Sequence, residues 1–195
     1  MMARYNKEQK EQTRERIIAA AGRTFRKGGY SGIGVDGLAK EAGVTSGAFY
    51  GHFSSKEDAF NETVKSGLKE LNEGIEKFQS DFGNKWISPF VDFYLGQKLT
   101  CELAEACSMP TLTPEVARSN KSVRETYQTQ ITKVIETIAN GLPQMDSTAR
   151  NQKAWAFLCL LSGGVTTIRA LADEAISNEA VKAIKTAALK IVEEN

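Results

Sequence analysis

Gly32, Gly34 and Gly37 stand at the spacing G-x-G-x-x-G within GIGVDG, and Glu57 and Asp58 follow about 20 residues on. That set could serve a dinucleotide: glycines let the backbone approach a pyrophosphate, and a carboxylate takes the ribose hydroxyls. A second set comprises Thr45, Ser46, Gly47, Tyr50, Gly51, His52 and Lys56. Its chemistry suits a nucleic acid. The short hydroxyls of Thr45 and Ser46 can reach base edges or thymine methyls. Gly47 and Gly51 permit close backbone approach. Tyr50, His52 and Lys56 suit phosphates, which fix register without reading sequence. A third set is Cys101, Cys107 and Cys159, whose spacing matches no zinc pattern. These cysteines read as free thiols of packing, with a thiol-sensing role as the alternative.

The flanking elements decide between the first two sets. A dinucleotide fingerprint needs a strand before it and a phosphate-facing helix after it. Here TRERIIAAAGRTFRKGG precedes it, with Ile17, Ile18, Ala21 and Phe25 at helical spacing. GVDGLAKEAG follows, a helical pattern of only about eight residues, and Gly37 falls inside it. Helix capping already accounts for Glu57 and Asp58, because Ser54 and Ser55 open a long helix with acids in its first turn. The cofactor reading fails. An eight-residue helix, a turn at Gly43 and the short helix VTSGAFYGHF make a helix-turn-helix. Ala39 allows a close crossing, Val44 and Phe49 cap the core between the helices, and Phe53 closes it against the first helix.

The rest of the chain also reads as helical. Phe60, Val64, Leu68, Leu71, Ile75 and Phe78 step by three or four as one stripe, broken by SDFGN. Ser88-Pro89 opens another helix, and GQKLTCELAEACSMP reads mostly as loop. Thr113-Pro114 opens a short helix, Lys121 to Asn140 forms a longer one, and two further long helices end the chain. No strand or repeat is convincing. The fold class is all-α with about nine helices. Residues 1–56 form a three-helix module and 57–195 a helical body.

Charge supports that division. The chain of 195 residues carries a net +1. Residues 1–56 hold ten basic and five acidic side chains, and the remainder fifteen and nineteen. A basic module on an acidic body points first to nucleic acid. Arg4, Lys7 and Lys10 read as a basic tail able to follow phosphates or enter a minor groove. No run of 18 apolar residues or signal-peptide core is present, so a cytoplasmic protein without a membrane span is expected. One histidine and no metal-ligand cluster argue against an enzyme, a metal or a cofactor.

GVDGLAKEAGVTSGAFYGHFSSKEDAF, with TRERIIAAAGRTFRKGGY upstream, closely resembles the N-terminal domain of the TetR/AcrR family of bacterial transcriptional regulators. The A-x-x-A-G-V-[ST] turn, the Y-x-H-F helix and the S-K-E start of the fourth helix occur together over about residues 12–60. The resemblance implies a nine-helix homodimer, usually a repressor that leaves a palindromic operator when a small molecule binds the C-terminal domain. It implies base-reading positions at Ser46 and Gly47 and phosphate contacts at Tyr50, His52 and Lys56. The family often has Ser or Thr where Gly34 stands, so only a backbone N–H is offered there. A ligand-independent or architectural DNA binder is the alternative.

For the effector pocket the aromatic and Met side chains Trp86, Phe90, Phe93, Tyr94, Met109, Tyr127 and Trp155 are candidates, because they suit an apolar cavity. The last two long helices are expected to dimerise through Leu158, Leu161, Val165, Ile168, Val181, Ile184 and Ala188. Their stripes are wider than so small a body needs to bury, and two-fold symmetry suits a palindrome.

Overall fold

The computed structural model describes residues 2–143 and 146–193, with side chains for 8–143 and 146–192. Among these residues regular structure is all helical: α1 (Met2–Gly28), α2 (Val35–Glu41), α3 (Ser46–Tyr50), α4 (Lys56–Phe82), α5 (Ile87–Leu95), α6 (Gln97–Thr100), α7 (Ser108–Arg118), α8 (Lys121–Asn140), α9 (Ser147–Arg169) and α10 (Glu174–Glu193). All but the single-turn α6 exceed four residues, which gives the nine helices expected. The segment GQKLTCELAEACSMP, read as mostly loop, instead folds into α6, a 3-10 turn at Leu103–Glu105 and the start of α7. The helix expected to open at Thr113-Pro114 starts instead at Ser108. Pro110 falls in the first turn of α7, where a missing N–H costs nothing, and Pro114 is carried inside the helix.

The first helix is also longer than its apolar stripe. Residues 4–10, read as a tail, belong to α1, because MARYNKEQKEQ contains no glycine or proline and several strong helix formers. Lys10 is exposed on it; the side chains of Arg4 and Lys7 lie outside the described residues.

Two cores are joined by α4. The N-terminal one packs Ile17, Ala21 and Phe25 of α1 on Leu38, Ala39, Phe49, Phe53 and Phe60, all at most 1% exposed. Phe25, Tyr30 and Phe60 form an aromatic cluster with centroids 5.1 to 5.9 Å apart. Truncating one such phenylalanine to Ala costs about 3–5 kcal/mol. In the larger core α4 packs on α8, α8 on α9, and α9 on α10. Trp86, Phe90 and Phe157 sit at its centre, and the Trp86 indole donates to the Gly141 carbonyl at 2.8 Å.

The α9 and α10 stripes face inward. Leu158, Leu161, Val165, Ile168 and Ala188 are at most 5% exposed, and Val181 and Ile184 are half-buried. This corrects the expectation that they face a second copy: residues stepping by three and four on the last two helices close the protomer's own core. Gly164 is the point of closest approach, since a Cβ there would lie 2.6 Å from Cδ1 of Ile184. The outer face of α9 carries Trp155 (42% exposed), Ala156, Cys159 and Gly163, with Ile176 of α10 54% exposed.

Candidate nucleic-acid interface and C-terminal cavity

The turn between α2 and α3 is built by backbone hydrogen bonds that only glycine accommodates cheaply. Gly43 has φ +66°, its N–H bonds the Lys40 carbonyl, and the Val44 N–H reaches back to Ala39 at 2.9 Å. This is a Schellman closure, and it stops α2 so that α3 can start in a new direction. Thr45 caps α3: its hydroxyl accepts from the Ala48 N–H at 3.1 Å. Phe49 is the one side chain of α3 that is buried; it docks α3 on the core and turns the rest outward.

The outward residues are those predicted from sequence. Thr45, Gly47, Tyr50 and Gly51 are exposed, Tyr50 by 57%, and Ser46, His52 and Lys56 are half-buried at the same end. Tyr50 rests edge-on against Phe49 with centroids 5.6 Å apart, so its hydroxyl is presented by an anchored ring. The sequence reading missed three partners. Ser46 donates to the Asp36 carboxylate at 2.5 Å, which ties α3 to the first turn of α2. The Lys56 ammonium lies over the Tyr30 ring, 4.2 Å from its centroid, a cation–π contact that stores the charge at the mouth of α4. Arg14 of α1 bridges Glu62 at 2.8 Å and lies over Phe53, which fixes α1 on α4.

His52 is held neutral. Burial lowers its pKa, the positive charges of Lys10 and Arg14 lower it further, and Glu11 opposes them. Its Nδ1 is buried without a hydrogen-bond partner. Ser55 caps α4 by accepting from the Asp58 N–H at 3.0 Å, and Asp58 in return accepts from the Ser54 N–H and hydroxyl. The two acids once weighed as ribose ligands are therefore first-turn residues of α4. Gly32 is required because a Cβ would lie 2.3 Å from the Gly28 carbonyl oxygen, and Gly37 because one would lie 2.5 Å from Ile33. Gly34 precedes α2 with no side-chain cap.

A cavity of ≈ 210 Å³ lies between α4, α5 and the start of α7. Of the candidates, Phe90, Phe93 and Tyr94 line it. Trp86, Met109, Tyr127 and Trp155 do not: Trp86 and Met109 are packed in the core, Tyr127 shares a 2.9 Å hydrogen bond with Thr113, and Trp155 is outside on α9. Gly67, Glu70, Leu71, Gly74 and Phe78 supply the α4 wall, and Ala106, Cys107 and Ser108 the opposite one. Gly67 and Gly74 on the apolar stripe of α4 were the sequence signal for this space. Burial pushes the Cys107 thiol up, so it is held as a neutral thiol. Among the described residues no three metal-ligating side chains converge, and no helix is long and apolar enough to cross a membrane.

Arg26 connects this cavity with the helix-turn-helix. From α1 its Nε donates to the Ala104 carbonyl at 2.7 Å and its Nη1 to the Ser108 hydroxyl at 3.3 Å. The segment bearing the cavity wall is thus fastened to the helix that carries α2 and α3.

Residues 17–63 match the family model described as "Bacterial regulatory proteins, tetR family". The HTH-type transcriptional regulator AcrR of Shigella flexneri is 37% identical over 81 residues, 42% of this chain and 38% of that protein. TtgR of Pseudomonas putida is 42% identical over 72 residues, 37% of this chain and 32% of its own length. The chain thus spans only about a third of the length of these curated relatives. The solved structure of E. coli NemR in its reduced form superposes with a TM-score of 0.79 at 20% identity, covering 94% of this chain and 98% of that one. Residues 17–63 thus carry the domain of the tetR family of bacterial regulatory proteins, and the chain as a whole shares the fold of solved TetR-family regulators.

Proposed function

We propose that the protein is a dimeric transcriptional repressor that binds a palindromic operator through α3 and releases it when a small molecule enters the cavity. The observation that carries this reading is the continuity from cavity to helix-turn-helix: Ala106 to Ser108 line the cavity, and Arg26 of α1 holds Ala104 and Ser108. A ligand that displaces this segment pulls on the helix behind α3. Operator and ligand then weaken each other by the same factor. The cavity favours this over a ligand-independent DNA binder, which has no use for it.

Base reading falls to Ser46 and Gly47, with Thr45 and Gly51 framing them, and phosphate binding to Tyr50, His52 and Lys56. Since α3 offers no Arg, Asn or Gln, direct readout is sparse and DNA shape contributes. The second copy docks on the outer face of α9 and α10, where Trp155, Cys159, Gly163 and Ile176 lie exposed. FadR of Bacillus subtilis, solved in complex with stearoyl-CoA, has the same fold with a TM-score of 0.67 and 17% identity, and supports a ligand-binding body.

The test is a gel shift with the DNA upstream of the protein's own gene, over a range of salt. Specific retention of a palindrome, with affinity falling steeply as salt rises, is expected. Equal binding to unrelated DNA at moderate salt refutes the reading.

A further inference from the structure

We propose that the cavity takes a small, uncharged aromatic molecule carrying one carbonyl-type acceptor, which the Tyr94 hydroxyl recognises. This rests on the reading that the C-terminal body holds an effector, and it names that effector's class. Three observations converge.

The first is size and shape. An apolar cavity of about 150 Å³ holds a benzene ring, so ≈ 210 Å³ holds a ring with a short substituent. Phe78, Phe90, Phe93 and Tyr94 form a linked aromatic wall, with neighbouring centroids 5.4 to 5.6 Å apart. Such a wall offers both faces and edges to a flat guest. Gly74 leaves room one turn from Phe78, since a Cβ there meets nothing within 4 Å.

The second is a polar group without a strong partner. Tyr94 is 1% exposed and lines the cavity, and its hydroxyl has no oxygen or nitrogen partner. It faces the Cys107 thiol, a weak partner. A buried hydroxyl held only by a thiol keeps part of its desolvation cost, which a guest's stronger acceptor removes. Burial keeps the phenol protonated, so it is the donor.

The third is charge. Glu70 and Lys98 are the ionisable side chains of opposite sign on the wall, and the Lys98 ammonium already donates to the Glu105 carbonyl at 3.1 Å. Glu70 is exposed and Lys98 only half-buried, so neither charge is desolvated against the aromatic wall, and an uncharged guest suits that wall best.

The full chain is titrated by calorimetry with acetophenone, with α-methylstyrene of the same shape but no oxygen, and with benzoate. Acetophenone is expected to bind about five- to tenfold more tightly than α-methylstyrene, the effect of one hydrogen bond. In Tyr94→Phe that preference falls below about twofold while α-methylstyrene affinity is kept, and the variant melts no lower than the parent because it loses only a hydroxyl with a weak partner. Gly74→Leu fills the space and abolishes binding of both. A preference that survives Tyr94→Phe, or benzoate binding more tightly than acetophenone, overturns the proposal. So does absence of binding by every probe. If the same preparation then still retains operator DNA, only the ligand assignment has failed; probe binding without DNA binding refutes the repressor reading instead.

Discussion

Two glycines on one face of α4 should respond to the same substitution with opposite signs. Replacing glycine by alanine inside a helix normally stabilises it by about 1 kcal/mol. At Gly74 the added Cβ meets nothing within 4 Å, so Gly74→Ala should show most of that gain. At Gly67 the added Cβ would lie 2.1 Å from Oγ and 2.4 Å from Cβ of Ser108. Carbon atoms pack at about 3.5–4.0 Å, so α4 and the start of α7 must part by roughly 1 Å. A new rotamer of Ser108 moves its Oγ but not its Cβ. Overpacking of this kind costs about 1–3 kcal/mol, and the strained Arg26–Ser108 hydrogen bond adds about 1 kcal/mol. After the propensity gain, Gly67→Ala should lose about 2 kcal/mol, a fall in Tm of roughly 4–8 °C for a chain of this length. Thermal unfolding by circular dichroism at fixed protein concentration measures this, and Ser108→Gly in the Gly67→Ala background should restore much of the loss while Ser108→Ala should not. Gly67→Ala melting at or above the parent, or rescue by Ser108→Ala as good as by Ser108→Gly, refutes the close-contact argument.

Lys56→Ala should weaken DNA binding across all sequences and lower the salt slope by about 1, measured by fluorescence anisotropy at several salt concentrations. Asp36→Ala frees the Ser46 hydroxyl and should change the preferred operator bases more than the total affinity, read by selection from a random DNA pool. His52 has a folded pKa below its ordinary value, so its contribution to stability is present above about pH 6.5 and is lost as pH falls toward the lowered value. DNA phosphates shift it the other way, so operator affinity at fixed salt should rise as pH drops from 7.5 to 6, and His52→Gln should flatten that profile. Arg26→Gln should leave probe binding to the cavity intact while reducing the probe's effect on DNA affinity. A bulky charge on the outer face of α9, Gly163→Arg, should convert the proposed dimer to monomer in sedimentation, because a Cβ there has nothing of its own protomer within 4 Å.

The helix-turn-helix was legible because its signals are local. Gly43, the Ser55 cap and the buried Phe49 each act within four residues and stand as the sequence implied, while the equally local Thr45 cap was read only as a DNA contact. The dinucleotide match was rejected for the same reason, since α1 stands where a strand was needed. What failed was long-range. Leu158 and Val165 have the period of a helix face, but period does not say whether that face meets its own chain or another. Trp155 and Trp86 are alike in type, yet one is exposed and the other is 1% exposed. The cavity depends on where glycines interrupt an apolar stripe, a signal of absence that a search for aromatic side chains passes over.

Among the helices α4 is unbroken for 27 residues, from Lys56 to Phe82. At 1.5 Å per residue it is a rod of about 40 Å, with Gly74 about 27 Å from Lys56. A tilt of roughly 5° about the cavity end moves the Lys56 end by about 2 Å, and in the proposed dimer two-fold symmetry doubles the change between half-sites. Half-sites of a palindrome lie about 34 Å apart and hydrogen bonds to phosphate tolerate only a few tenths of an ångström. On the repressor reading proposed above, the stiffness of one helix acts as geometric gain: a guest that tilts α4 by a few degrees carries both copies of α3 out of register with the groove.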